Sequence, residues 1–372
     1  MNKKIVVYEH QYLSDLDVVQ NIQQNISLQR YFTSDFEGVK TTSFCGSLKV
    51  DEKEILILPK ISKDSDQNLR VFMFMILYSY DIKNIENFQN SEDMFEVFID
   101  LFSKNLLKLI NQTGLYKEYI SIQSENSFLK GKLILKNYIL KTATDNKFFC
   151  EYDEFSINHK LNQFFSYTVK RLKLLSKKRT DFIKLEKIFS EVDSIFQEDV
   201  SFNHLNIRFK ESYDLAKFLL KNLTKTKVKH SNTFSFMFDM DILYENFVSK
   251  LFTEVSDAQL QKVQFFGNLK LEPDIVLDNL IIDLKYKIFK HDVKKDDKYQ
   301  IYIYGNNFEI PNGMLLYPKH LGNFKKILNL GKNEHKVNLV VQSLDLDSDL
   351  DYRDYIEEMK IRVKDILKDY NL

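Results

Sequence analysis

Two aspartates and a lysine lie around one short apolar hairpin, which is predicted over residues 271–287, LEPDIVLDNLIIDLKYK. An Asp-Asn pair at 278–279 is a good two-residue turn between β-branched runs, and a turn there sets Asp274 opposite Asp283. The inner pairs of this ladder would be Leu277 with Leu280, Val276 with Ile281, and Ile275 with Ile282. Opposed residues have Cβ atoms about 4.5–5.5 Å apart, and like charges there destabilise a sheet. The two acids therefore predict a functional site.

A divalent cation between the two carboxylates would remove their repulsion. Lys285 lies two residues after Asp283, so its side chain points to the same face of the strand. Magnesium prefers hard oxygen ligands and keeps several waters, so Asp274 and Asp283 are the expected ligands, with the Leu284 carbonyl as a candidate third. Lys285 would hold or help activate the attacking water and offset charge on the phosphate. The set predicts a metal-dependent phosphodiesterase site.

Three further polar residues are candidates for supporting roles. Gln300 and Tyr304 are four residues apart, so they share one face of the helix predicted after the hairpin. Glu245 lies in the helix predicted before it, where a third acid could complete a metal site. The competing interpretations are an ordinary helix of mixed polarity and a solvated glutamate. Other Asp-x-Lys copies, interpreted as solvated surface charge, include those that begin at Asp51, Asp292 and Asp296.

The residues around this site resemble a known family. The hairpin with Asp274, Asp283 and Lys285 resembles the core of the PD-(D/E)XK nucleases, and residues 299–304 resemble the helix that follows it. More specifically, the chain resembles McrC, the nuclease subunit of McrBC-type restriction systems, including the LlaJI-like subunits. The supporting segments are 57–61, 129–133, 150–158 with Asn162, 240–248, 273–274, 283–287 and 315–318. They occur in the family's order and cover most of residues 38–320.

The resemblance implies an α/β fold with a C-terminal PD-(D/E)XK restriction-endonuclease-like core, in which helices flank a mixed sheet. An α+β N-terminal partner-binding domain is expected over 1–148. A helical connector and the nuclease domain would fill 149–372, with the core at about 234–345. The resemblance also implies Mg²⁺ as cofactor, with Mn²⁺ as a substitute, and double-stranded DNA as substrate. The expected partner is a McrB-like hexameric AAA+ GTPase, and self-dimerisation during cleavage is a further expectation.

The chain contains no phosphate-binding loop of the G-x-x-x-x-G-K type. Neither Gly131-Lys132 nor Gly331-Lys332 has a glycine five residues earlier. Such a loop uses backbone N–H groups to hold the phosphates of a nucleotide. We therefore expect no nucleotide site of this kind here, and nucleotide hydrolysis would belong to another chain.

Apolar spacing predicts the elements that must position the site. Strands are expected at 3–8 and 54–61, helices at 69–80 and 91–112, and strand-like sequence at 115–138. Helices follow at 158–175, 182–196, 213–223 and 242–252. The remaining elements are strands at 263–271, 275–277 and 280–286, a helix at 296–304, strands at 313–317 and 337–341, and a helix at 355–370. The order of helix, three strands, helix and strand around the site indicates an α/β core.

Composition bounds the class of protein. The 372 residues are 44% hydrophobic, enough for a substantial core, and 53 basic residues balance 53 acidic ones. Cys45 and Cys150 have no metal-ligand spacing and fit a reduced cytoplasmic chain. The most apolar window, 71–80, is about half the length of a membrane span. We therefore expect a cytoplasmic protein without a membrane segment.

Two segments and two alternative functions stay open. The polar residues between Glu151 and Asn162 are best interpreted as helix capping and polar packing under the nuclease sheet. The basic segment Lys170–Arg179 would either follow DNA phosphates or form a solvated helix face. The alternative functions are a non-catalytic nuclease-like adaptor that activates the GTPase, and a stand-alone PD-(D/E)XK nuclease.

Overall fold

The computed structural model describes residues 4–24, 26–50, 53–62, 64–82, 94–138, 147–197, 199–228, 231–289, 292–320 and 322–370. The strands of the first half are β1 (Lys4–Tyr8), β2 (Phe32–Asp35), β3 (Gly38–Thr41), β4 (Phe44–Val50), β5 (Lys53–Leu58), β6 (Glu118–Asn126), β7 (Lys132–Leu133) and β8 (Phe148–Ser156). Those of the second half are β9 (Leu223–Val228), β10 (Ser231–Asp239), β11 (Gln259–Leu260), β12 (Gln264–Phe266), β13 (Leu269–Leu271), β14 (Ile275–Leu277), β15 (Leu280–Leu284), β16 (Asn312–Pro318), β17 (Lys325–Leu330) and β18 (Val337–Leu344). The helices are α1 (Leu16–Gln23), α2 (Ser65–Ser79), α3 (Met94–Thr113), α4 (Leu135–Asn137), α5 (Lys160–Lys173), α6 (Thr180–Ile188), α7 (Lys210–Asn222), α8 (Met240–Val255), α9 (Lys295–Asn307) and α10 (Tyr352–Lys368). The fold is mixed α/β, as expected.

The chain forms two compact units, and their limits differ from the division expected at residue 148. One unit combines Met1–Asn90 with Asn222–Leu372, and the other is Ser91–Lys221. The expected boundary falls at the start of β8, which pairs with β6 along its length. Backbone hydrogen bonds between these two strands therefore keep both sides of that boundary in one unit.

A five-stranded sheet in the first unit has the order β1-β5-β4-β10-β9. β1 pairs with β5 in parallel, and β10 pairs with β4 antiparallel. Gly46 allows this close pairing, because a Cβ there would lie 2.1 Å from the carbonyl oxygen of Phe236 and its φ is +142°. The nuclease core was expected over residues 234–345. The start of that range lies in β10, which belongs to this five-stranded sheet and not to the sheet that contains the hairpin.

A six-stranded mixed sheet in the same unit has the order β11-β14-β15-β16-β18-β17. The hairpin β14–β15 shows the predicted inner pairs, with Ile275 opposite Ile282 and Leu277 opposite Leu280. β15, β16 and β18 run parallel. All five residues of β15 are buried, which agrees with its continuous apolar run.

Helix α9 connects β15 to β16 and packs on one face of this sheet. Its buried residue Ile301 belongs to a core cluster that includes Leu315 and Val341 of the sheet. Helix α8 precedes the sheet, and it packs against α2 and α10. The strand predicted at 263–271 is instead the separate hairpin β12–β13, because Gly267, with φ of +62°, turns the chain in its middle.

The second unit contains the sheet β6-β8-β7 and helices α3 to α7. Its core is aromatic: Phe164 lies 4.6 Å from Tyr213 between ring centroids, and Phe165 contacts Phe189 and Phe209. The predicted helices at 91–112, 158–175 and 213–223 correspond to α3, α5 and α7, with ends that differ by a few residues. The helix predicted at 182–196 ends earlier, at Ile188.

Candidate functional site

Asp283 and Lys285 lie where β15 reaches the end of the six-stranded sheet. Asp283 is 2% exposed because β14 and β16 flank its strand. Lys285 follows two residues later, and its backbone N–H donates to the Leu316 carbonyl oxygen at 3.0 Å. The two side chains share a face, and the Lys285 ammonium forms an ion pair with the Asp283 carboxylate. The predicted facing of this acid and this lysine is therefore present in the structure.

Asp274 stands just before β14 and reaches the same strand by a side-chain contact. The β14–β15 ladder begins at the pair Ile275–Ile282, so Asp274 and Asp283 do not extend it as the expected fourth pair. Instead, a carboxylate oxygen of Asp274 accepts a hydrogen bond from the Leu284 backbone N–H at 2.7 Å. This contact holds the Asp274 carboxyl group against the end of β15.

The electrostatics show that the two carboxyl groups interact. Burial and the negative charges of Asp283 and Glu245 together raise the pKa of Asp274 to about 7, although the Leu284 hydrogen bond opposes that rise. Burial also raises the pKa of Asp283, although the Lys285 charge opposes that rise. Negative charge is therefore concentrated here beyond what one lysine balances.

Lys285 is held in its charged form. Burial alone would lower its pKa, but the Asp283, Asp297 and Asp274 carboxylates together raise the pKa above its ordinary value. Its ammonium group also donates to the Oε1 atom of Gln300 at 3.2 Å. A fixed positive charge of this kind suits a single oxygen atom of a water or a phosphate.

One face of α9 completes the site. The Gln300 amide donates to the Tyr304 hydroxyl at 3.0 Å, and that hydroxyl donates to the Glu272 carbonyl oxygen at 3.3 Å. These bonds link Lys285 through Gln300 and Tyr304 to the segment that precedes Asp274. Both predicted helix residues are therefore brought to the site.

Asp297 and Lys287 are site neighbours that sequence reasoning missed. Asp297 is 8% exposed and forms a 2.6 Å ion pair with Lys287. Its charge also raises the pKa values of Asp283 and Lys285. The sequence does contain a signal for the position of Asp297. This residue precedes Gln300 by three residues and Tyr304 by seven, so the three are predicted to share one face of the helix. Asp297 is the middle residue of the Asp-x-Lys sequence 296–298, which was predicted to be solvated surface charge.

Glu245 lies at the margin of the site on α8. Its Oε1 atom accepts a 2.9 Å hydrogen bond from the Gln261 amide, while the Gln261 backbone N–H donates to the Asp274 carbonyl oxygen. Gln261 therefore bridges Glu245 to Asp274. Within the described ranges, no three side chains of His, Cys, Asp or Glu are placed so that they could hold one metal ion together. A role of Glu245 as a third metal ligand stays a prediction.

Comparison with known proteins identifies the family. The model of the family described as McrBC 5-methylcytosine restriction system component matches residues 39–318. The chain belongs to this family. No curated protein matches it.

The fold of this family member is also similar to solved structures. A chain of the refined half-complex from a tetradecameric assembly of Thermococcus gammatolerans McrB AAA+ hexamers with bound McrC has a TM-score of 0.65 and 20% identity. The similarity covers 98% of the present chain and 100% of that chain, so the two share one fold along their length. A chain of the cryo-EM structure of the Thermococcus gammatolerans McrBC complex has a TM-score of 0.47 and 25% identity, and covers 67% of this chain and 87% of that one.

The polar segment 151–162 of this McrBC component makes contacts within the second unit. The buried Asn162 amide donates to the carbonyl oxygens of Tyr116 and Ile157 at 2.9 and 2.8 Å. Asn158 bonds to Asp193 and does not cap α5, whose N-terminal cap is His159 without a side-chain bond. Asn162 therefore fastens the start of α5, and capping by Asn158 is not observed.

The basic segment 170–179 of this family member is partly neutralised by its neighbours. Lys173 pairs with Glu186, and Lys178 pairs with Asp100 at 2.9 Å. A role in following DNA phosphates stays a prediction. No helix in the described part of the chain has both the length and the apolar character needed to cross a membrane.

Proposed function

We propose that this chain is the DNA endonuclease subunit of a GTP-dependent, McrBC-like restriction system. Its nuclease centre would be of the PD-(D/E)XK type, with Asp274, Asp283 and Lys285 as the catalytic set. The observation that carries the proposal is the ion pair between the buried Asp283 and the half-buried Lys285, beside a second carboxyl group whose pKa is raised to about 7. Strongly shifted carboxyl groups next to a fixed positive charge are characteristic of functional sites.

The Asp-x-Lys copy that begins at Asp292 supports this assignment by contrast. Asp292 precedes Lys294 with the same spacing, but its side chain is 63% exposed. It pairs with Lys298 and Lys326. The pKa of Asp292 is lowered to about 2, mainly by the hydrogen bond from Lys298. An exposed, fully compensated carboxylate is ordinary surface charge. Burial and incomplete compensation therefore distinguish Asp283 from Asp292, although the local sequence pattern is the same.

The donor set fits Mg²⁺, with Mn²⁺ as a substitute. Asp274 and Asp283 would hold the ion, and the Leu284 carbonyl is the proposed third protein ligand. Two carboxylates suffice for an ion that keeps several waters and binds a substrate phosphate. When bound, the ion would acidify a water and balance charge on the phosphate. Lys285, oriented by Gln300 and Tyr304, would hold that water or a phosphate oxygen and oppose the charge that develops during hydrolysis.

The proposed partner is a McrB-like AAA+ GTPase, whose hydrolysis this chain would stimulate. Two observations support it: the similar solved assembly contains McrB AAA+ hexamers with bound McrC, and this sequence lacks a phosphate-binding loop. Residues 1–148 are the proposed docking region, and double-stranded DNA is the proposed substrate. Self-dimerisation during cleavage stays part of the proposal.

The test is cleavage of DNA containing 5-methylcytosine by the purified chain with its GTPase partner, GTP and Mg²⁺. Asp283→Ala and Lys285→Ala should abolish cleavage while stimulation of GTP hydrolysis persists. Asp292→Ala is the matched control, because it removes an aspartate from the same sequence pattern at an exposed position. Its cleavage rate should equal that of the wild type.

The outcomes separate three functions. Cleavage by Asp283→Ala at the wild-type rate would overturn the site assignment. Full GTPase stimulation without cleavage by the wild type would support a non-catalytic adaptor. Mg²⁺-dependent cleavage without the GTPase would support a stand-alone nuclease.

A further inference from the structure

Another buried carboxyl group, that of Glu9, is hydrogen-bonded to the residue that follows Lys285, and the proposed chemistry does not use it. Glu9 follows β1 of the five-stranded sheet and is 1% exposed. Its Oε1 atom accepts two hydrogen bonds of 2.7 Å, one from the Lys60 backbone N–H and one from the Tyr286 hydroxyl. Its Oε2 atom is buried and has no hydrogen-bond partner among the described residues. A buried acid with such a defined pair of donors requires an explanation.

Tyr286 is the residue next to Lys285 in the chain. Its ring is buried, and it contacts the ring of Tyr244 with centroids 5.7 Å apart and the ring of His320 at 5.8 Å. The Glu9 hydrogen bond fixes the hydroxyl end of the same side chain. Packing along the ring and a bond at its tip leave Tyr286 little freedom, and its backbone is shared with Lys285.

The other donor to Glu9 is fixed as well. The Lys60 carbonyl oxygen is bonded to Nδ1 of His320 at 2.8 Å, and the Glu9 backbone N–H donates to the Leu58 carbonyl oxygen at 2.9 Å. Residues 57–61 are one of the segments that carry the sequence resemblance, and the backbone of Leu58 and Lys60 in this segment bonds to Glu9. These backbone contacts hold Glu9 in the position where its carboxylate accepts the Tyr286 hydrogen bond.

We propose that Glu9 is a positioning residue for Lys285, acting through the Tyr286 hydroxyl. The five-stranded sheet thereby holds the lysine of the six-stranded sheet in its place between Asp283 and Gln300. This inference rests on the proposed nuclease function for its consequence in catalysis. The orientation of Lys285 can also be measured without any cleavage.

The first readout is the turnover of DNA cleavage by Glu9→Ala, Glu9→Gln and Tyr286→Phe. Small displacements of a positioned group reduce turnover strongly, so kcat should fall at least about tenfold in Glu9→Ala and Tyr286→Phe while KM stays within about twofold. Glu9→Gln should retain most of kcat, because its amide oxygen can still accept both hydrogen bonds. Tyr355→Phe is the matched control, since Tyr355 is also fully buried and its hydroxyl donates one bond, to the Leu346 carbonyl oxygen at 3.2 Å.

The second readout is the rate at which an amine-acetylating reagent modifies Lys285, followed by mass spectrometry of folded protein without DNA. Lys360 is the internal reference, because its side chain is 21% exposed and ion-paired, against 20% for Lys285. Loosening a half-buried ion pair should raise the Lys285-to-Lys360 ratio at least about threefold in Glu9→Ala and Tyr286→Phe. The ratio should stay near the wild-type value in Glu9→Gln and Tyr355→Phe.

The two readouts keep the two hypotheses apart. A wild-type acetylation ratio in both Glu9→Ala and Tyr286→Phe would overturn the positioning role, and so would wild-type kcat in both variants of an active enzyme. If the wild type and Asp283→Ala alike fail to cleave, the nuclease proposal fails, and the acetylation ratio still decides whether Glu9 positions Lys285. Thermal unfolding of each variant establishes that the readouts concern folded protein.

Discussion

Two regions of this molecule each bury a carboxylate, and they treat it in opposite ways. In the second unit, Glu96 is 7% exposed and accepts hydrogen bonds from the Ser176 hydroxyl at 2.7 Å and from two backbone N–H groups, of Lys177 and Lys178, at 3.0 Å. At the candidate site, Asp283 pairs with the half-buried Lys285 and Asp274 accepts the Leu284 N–H, and among the described residues the two carboxyl groups have no other donor.

The difference teaches how to separate structural from functional acids in one fold. Several donors match the charge of Glu96, which fastens the loop after α5. The two aspartates lack that compensation, and their raised pKa values record its cost. A buried acid with too few donors calls for a further partner, and at Asp274 and Asp283 the proposed Mg²⁺ would be that partner, whereas a saturated acid is explained by the fold itself.

The largest expected effect is the loss of chemistry in Asp283→Asn. This change keeps the size of the side chain but removes the charge that pairs with Lys285 and would bind the metal. The cleavage rate should fall about 10³-fold or more, because the proposed transition-state stabilisation is lost. The measurement is the single-turnover cleavage rate with the GTPase partner present. A rate within tenfold of the wild type would mean that the incomplete compensation at Asp283 has no catalytic meaning.

The opposite behaviour is expected of Glu96→Ala. It removes the acceptor of the Ser176 hydroxyl and of the part-buried Lys177 and Lys178 N–H groups, although the Lys178 N–H keeps a second acceptor, the Ser176 hydroxyl. The free energy of unfolding should therefore fall by about 2–4 kcal/mol. The cleavage rate per folded molecule should stay at the wild-type value. Denaturant unfolding and cleavage measured on the same preparation check both halves. A large loss of cleavage in stable Glu96→Ala protein would break the comparison between the two regions.

The pH dependence of stability sharpens the comparison further. The pKa of Asp274 is raised from 3.8 to about 7 in the folded state, so the folded protein binds an extra proton between these values. Stability should therefore fall as pH rises from about 4 to about 7 without metal, and Asp274→Asn should remove about 1–3 kcal/mol of that fall. Denaturant unfolding at several pH values measures it. Burial also raises the pKa of Glu9 to about 7, so Glu9 lowers stability over the same pH range. This effect is equal in the wild type and in Asp274→Asn, and it cancels when their stabilities are compared.

The smallest expected effect is stabilisation by Mg²⁺ in the absence of DNA. Binding to the folded state at about ten times the dissociation constant adds about 1.4 kcal/mol, or a few degrees in Tm. Asp274→Asn should abolish this shift, whereas Asp292→Ala should preserve it. Thermal unfolding with and without Mg²⁺ at pH 8 makes the measurement. An equal shift in wild type and Asp274→Asn would place the ion elsewhere.

Most of the arrangement at the candidate site was predictable from sequence, because local rules determine it. The turn at 278–279 and the β-branched runs established the inner register, and helical spacing placed Gln300 and Tyr304 on one face. The relation of Asp274 to Asp283 differed from the ladder expected, because a side-chain acceptor bonded to the Leu284 N–H at that position. Asp297 was missed because charge at the start of a helix is common on surfaces, and only packing shows that it is buried.

Domain limits were the least predictable feature, for a physical reason. Strand pairing joins residues that are far apart in the chain: β10 pairs with β4, and β6 pairs with β8 across the expected boundary at 148. Helix and turn signals act over a few residues, so they carry no information about such pairings.

The sequence alone determined the residue types, the inner hairpin register, the shared face of α9 and the absence of a G-x-x-x-x-G-K loop. These depend on neighbours within a few positions, where backbone geometry leaves few alternatives. Only the tertiary structure decided that Asp283 is buried while Asp292 is exposed, and that Glu9 reaches the residue next to Lys285. Burial and long-range hydrogen bonds arise when distant segments pack together, and they place identical local patterns in different environments.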